Sequence, residues 1–151
     1  MHRFAPLALA ALLVAIPAAA AAGLAAGMVK NAKGSVTLER AGKALPLAPG
    51  AAVMSEDRIV TGADGSAGIT LRDDTLLSVG PNSRVSLDKF VFDEATHEGE
   101  MSASVKRGTM AVISGKLAKK SPGAVKFVTP SAILGVRGTE FVIDVGAGEQ
   151  P

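Results

Sequence analysis

Apolar and polar residues take turns along most of this chain from Ser35 onward. Val36 and Leu38 alternate with polar neighbours, as do Ala67, Ile69 and Leu71, then Val85 and Leu87. The same beat returns at Met101, Ala103 and Val105, at Val125 and Phe127, and at Phe141, Ile143 and Val145. A period of two places such side chains on one face of a pleated strand. Asp57 to Thr61 and Thr75 to Val79 form two further short segments. Phe90-Val91-Phe92 either continues the strand from Arg84 or starts a new one. Turn formers separate the segments at Arg40 to Lys43, Ala63 to Gly65, Arg72 to Asp74 and Gly80 to Ser83. Arg107-Gly108 breaks the pattern before Met110 to Ile113. Turns about every 8–12 residues favour a sandwich, barrel, roll or β-solenoid over a parallel α/β fold. No segment after Met28 carries a convincing helical period, and Ser114 to Lys120 is the best helical candidate. The predicted fold is all-β, one domain of many short strands, a β-sandwich or roll or a solenoid-like stack.

The first residues do not fit that beat. Met1-His2-Arg3 is a short positive start, and no charge follows from Phe4 to Met28. Leu7 to Ile16 is apolar, Pro17 breaks it, and Ala20-Ala21-Ala22 offers the small residues that a signal peptidase needs. The layout predicts a signal peptide over residues 1–22, cut near Gly23 with Ala26 as the alternative. It also predicts an all-β domain over residues 34–146, a tail over 147–151, and a periplasmic or secreted protein. An uncleaved anchor is disfavoured, because alanine partitions weakly into lipid and Pro17 interrupts the run. No later segment approaches membrane length, so the mature form carries no span. The chain has 16 Lys and Arg against 14 Asp and Glu, and without Arg3 the balance is 15 to 14. That near-neutrality, with no basic stripe interleaved by aromatics, argues against nucleic acid. Cysteine is absent, so an exported form is stabilised by packing and not by disulfides.

Catalytic chemistry is thinly provided. His97 is the one histidine beyond the leader, and it lies in the acidic loop Asp93 to Glu100. No Gly-x-Ser-x-Gly elbow occurs, and zinc would need several His or Cys ligands. Asp73-Asp74 and Asp93-Glu94 lack the spacing of a calcium loop, so they read as turn residues bonding nearby amides. The sequence therefore predicts no enzyme, no cofactor and no metal. With neither Trp nor Tyr, a stacking platform for sugars is poorly supported. Lys116, Lys119 and Lys120 form the one local positive cluster and a candidate surface for an envelope partner. Gly135-Val136-Arg137-Gly138-Thr139 could nest an anion, but glycine there more simply serves positive φ or close backbone approach.

Three blocks carry a family resemblance. They are Asp57 to Leu71, Asp74 to Asp88, and Val128-Thr-Pro-Ser-Ala-Ile-Leu-Gly-Val-Arg-Gly-Thr-Glu-Phe-Val142. Together they resemble the FecR domain over about Gly34 to Val145. Thr129, Pro130, Gly135, Arg137, Gly138 and Thr139 are the signature positions, expected to build the scaffold. The resemblance implies a periplasmic all-β domain. Family regulators relay a signal from an outer-membrane transporter across the inner membrane to a sigma factor, through a cytoplasmic segment and a span. Only Met1-His2-Arg3 precedes the apolar run here, so the chain is similar to free-standing exported members. The expected function is a protein-interaction or regulatory module with an unknown envelope partner. The alternative is a structural protein bound to peptidoglycan or polysaccharide.

Overall fold

A computed structural model describes residues 24–137 and 140–146. The expected signal peptide, Gly138, Thr139 and the expected tail lie outside the described residues. The chain forms β1 (Gly27–Lys33), β2 (Val36–Arg40), β3 (Lys43–Pro46), β4 (Ala52–Val53), β5 (Arg58–Thr61) and β6 (Ser66–Leu71). Then come β7 (Leu76–Val79), β8 (Arg84–Phe92), β9 (Gly99–Ile113), α1 (Lys116–Lys120), β10 (Val125–Val128), β11 (Ile133–Gly135) and β12 (Glu140–Val145).

The strands make one curled sheet in the order β3-β2-β5-β8-β9-β7-β6-β1-β4. The 15-residue β9 belongs to both of its halves. Its first part pairs with β8 on one side and β10 on the other, and its last part pairs with β7 and β12. Ladders are antiparallel except β9 with β10. The sheet is therefore rolled, not stacked in parallel coils. Both halves contribute to one core, which includes Ile59, Ile69, Leu71, Leu77, Val85 and Leu87. The space left among these side chains is about 10 Å³, no more than one water requires. The part of the core that these side chains line is packed.

The break expected at Arg107-Gly108 is instead a bend inside β9. Met101, Ala103 and Val105 are buried at odd positions, whereas Met110 and Val112 are buried at even ones. One extra residue must be absorbed between them to keep the apolar side inward. Gly108 lies there, with φ of 86°. Phe90-Val91-Phe92 continues β8 through a similar shift between Leu87 and Lys89. Both phenylalanines are buried. The sheet also begins at Gly27, upstream of the Gly34 start read from the sequence. Along β1 only Val29 is buried, so the strand carries almost no alternation by which to find it. The helical candidate is α1, which buries Leu117 and Ala118. Among the described residues no helix is long and apolar enough to cross a membrane.

Candidate functional site

The signature segment begins as a hairpin. β10 and β11 pair through Lys126↔Gly135, Phe127↔Leu134 and Val128↔Ile133. Pro130 fixes φ and donates no N–H, which suits the turn between them. Thr129 closes that turn: its N–H donates to the Ala132 carbonyl at 2.8 Å, and its Oγ1 accepts from the Ala132 N–H at 3.1 Å. The described residues on either side of 138–139 lie in different halves of the sheet, β11 beside β10 and β12 beside the last part of β9. Val136 is buried and donates its N–H to the Val125 carbonyl at 3.1 Å. β12 follows against the last part of β9. Phe127 on β10 and Phe141 on β12 meet edge to face, with ring centroids 5.3 Å apart. The segment thus contacts both halves through Phe127 and Phe141, and Thr129 bonds within its own turn.

Gly135 and Arg137 are different. Gly135 is not among the positive-φ residues, and a Cβ built on it would meet open space. Neither reason expected for a glycine applies there. Arg137 is exposed. The remaining two members of the proposed anion nest, Gly138 and Thr139, are not described.

The two charged loops converge on one short turn, Arg72 to Thr75. The Asp73 side chain is fully buried. Its carboxylate accepts from the Thr75 N–H at 3.1 Å, the Thr75 hydroxyl at 2.7 Å and the Leu117 N–H at 3.3 Å. Its carbonyl accepts from the Lys116 N–H at 2.7 Å. The Thr75 hydroxyl in turn accepts from the Gly115 N–H at 3.1 Å. Burial without water demands such partners. These bonds clamp α1 to the turn, with Leu117 and Ala118 inward and Lys116, Lys119 and Lys120 exposed. Lys116 reaches Asp74 at 3.0 Å, both well exposed, so part of the positive cluster is neutralised.

The same turn holds the acidic loop through Arg72. Its guanidinium lies 5.4 Å from the Phe90 ring centre and 3.6 Å from Glu94. It also donates to the Ala25 carbonyl at 2.7 Å. Asp93 accepts from the Ala95 and Thr96 N–H groups. Those bonds, the Thr96 one foremost, hold its carboxyl below the usual carboxylate range. His97, at a positive φ of 62°, stacks on Phe92 with ring centres 5.8 Å apart. Its ring is thus packed against the end of β8. Among the described residues no group of three or more His, Cys, Asp or Glu is placed to hold a metal ion.

Sequence reasoning placed Asp73 in a turn bonding amides but missed its complete burial and its role as the hub. Nothing in Arg72-Asp73-Asp74 as a string separates the buried carboxylate from the exposed one.

In comparisons with known proteins, the family model described as FecR protein matches residues 57–150. No curated protein and no solved structure matches the chain.

Proposed function

The chain belongs to the FecR family, and from that premise we propose that it is a non-catalytic recognition module of the periplasm, tied to cell-surface signalling or envelope sensing. The observation that carries this proposal is the turn Arg72 to Thr75. It presents the exposed lysines of α1 and the acidic loop of Asp93 to Glu100 from one rigid buried hub. Two loops of opposite sign on a fixed base suit electrostatic selection of a protein partner. A second contact is available at β11. Among the described residues it pairs with β10 alone, and it exposes Ile133 and Leu134, so a partner strand could extend the sheet there.

Export by a leader cut near Gly23 accords with the packing of the residues that follow. Ala26 is buried, its N–H donates to the Val53 carbonyl at 2.8 Å, and its own carbonyl accepts from the Arg72 N–H at 2.9 Å. A cut after Ala26 would remove these contacts and the Ala25 carbonyl that Arg72 grips.

One experiment tests both points. Tagged protein recovered from the periplasm should begin near Gly23 and carry a saturable protein partner. Lys116→Glu/Lys119→Glu/Lys120→Glu should weaken that capture about tenfold or more, with Tm within about 2 °C, because the replaced side chains are solvated. Capture unchanged by the reversal would reject the α1 surface. Sedimentation with purified cell wall and no protein partner would favour the polymer-binding alternative.

A further inference from the structure

The outer side of five neighbouring strands, β1, β6, β7, β9 and β12, with β4 flanking the start of β1, bears an unusual distribution of residues. Met28, Thr70, Leu76, Ile113 and Glu140 stand opposite one another across the five strands. Three of them are exposed large apolar side chains: Met28 at 49%, Leu76 at 40% and Ile113 at 44%. The next outward row runs Asn31, Gly68, Ser78, Ala111 and Val142, and Val142 is 67% exposed. The three middle strands carry no charge in either row, and their second row is Gly, Ser and Ala. Asn31 lies across Gly68, its side chain 2.9 Å from where a Cβ would stand. The result is a low, uncharged platform.

Charge is confined to its two ends, with opposite signs. On β1, Lys33 points outward opposite Ser66, and Lys30 sits at the bulge beside Asn31. On β12, Glu140 and Asp144 point outward, opposite Ile113 and Thr109. All four are exposed.

We propose that this face is the interface of a two-fold homodimer, with the axis running along the strands between two facing sheets. That operation reverses the strand order and keeps the rows. Lys33 then meets Asp144 of the second copy, and Lys30 approaches its Glu140, twice by symmetry. β7 lies over β7, where Ser78 leaves room for close approach, and Leu76 packs on Leu76. Strands stay aligned, as in ordinary sheet-on-sheet packing about 10 Å apart. A two-fold across the strands would stack the cationic edge on the cationic edge, so the charges select one geometry. An uncharged centre with a polar rim also matches homodimer interfaces. Five strands about 4.8 Å apart and three rows about 7 Å apart give a contact near the lower limit for a specific interface. A contact of that size suits a weak dimer that loosens with salt.

The test is sedimentation of the full mature chain with charge-reversed variants. Lys30→Glu/Lys33→Glu alone and Glu140→Lys/Asp144→Lys alone should each dimerise about tenfold or more weakly than wild type. Mixed one to one, they should form a heterodimer with wild-type strength, since every reversed contact is then attractive again. Ala111→Arg, at the centre, should abolish association while its circular dichroism matches wild type. A wild-type chain that stays monomeric to about 1 mM overturns the proposal, as do reversed variants that associate alone as well as wild type, or a mixture that does not.

Discussion

Gly108→Val should lower Tm by about 15 °C or more, corresponding to a loss on the order of 4 kcal/mol or greater. Two costs combine at this position. The backbone sits at φ of 86°, where a β-branched residue is strained. A Cβ would also stand 2.1 Å from the Ser83 Oγ and 2.5 Å from its Cα. Ser83 cannot yield, because it is fully buried and bonded into the bend. Its Oγ accepts from the Thr109 N–H at 3.0 Å, and its N–H donates to the Thr61 Oγ1 at 2.9 Å. Displacing it would disturb the point where β9 passes from one half of the sheet to the other. Gly135→Ala supplies the control: with open space and no positive φ, it should change stability by no more than about 0.5 kcal/mol. Thermal melts of the two variants check both statements. Equal Tm values would remove the structural distinction drawn between these glycines.

The second large effect is expected at Arg40 and Asp57. Asp57 is 1% exposed and holds both prongs of the Arg40 guanidinium, Nε at 2.8 Å and one terminal nitrogen at 2.6 Å. It also accepts from the Met54 N–H at 2.7 Å. The bond to Asp57 raises the Arg40 pKa above the ordinary guanidinium value. Arg40→Met leaves the carboxylate buried with one amide as its remaining bonded partner, which should cost about 3 kcal/mol. Arg40 itself is partly solvated, so the coupling belongs at the lower end, about 2 kcal/mol. Arg40→Met/Asp57→Asn should therefore lose markedly less than the two single changes added, since an amide still accepts from Met54. Denaturant melts of the four proteins give the coupling directly. Additive losses would show that the pair does not act as a unit.

Much of this architecture was legible in the alternation of side chains. Ala67, Ile69 and Leu71, or Met101, Ala103 and Val105, declare a buried face because each apolar residue has a polar neighbour on either side. Legibility failed where the backbone breaks the period. At Gly108 and near Asp88 the parity of buried positions flips, and a flip looks like a strand end until the partner strands are known. β1 was missed for the opposite reason: its long-range pairing with β6 holds it in place despite a weak pattern. The signature segment could be read as scaffold, but its contacts with both halves of the sheet could not. Nor could the buried hub at Asp73, because its partners at Lys116 and Leu117 lie about forty residues away in sequence, and burial there is a tertiary fact.

Under the proposed function, the lysines of α1 and the loop of Asp93 to Glu100 meet a protein partner from a shared anchor. A photoreactive amino acid placed at Lys119 in living cells tests it most directly. Irradiation should give a discrete cross-link to another envelope protein, lost when Asp73→Ala releases α1 from its turn. A residue at Lys119 that yields no protein adduct, while one at exposed Leu45 on β3 does, would contradict it.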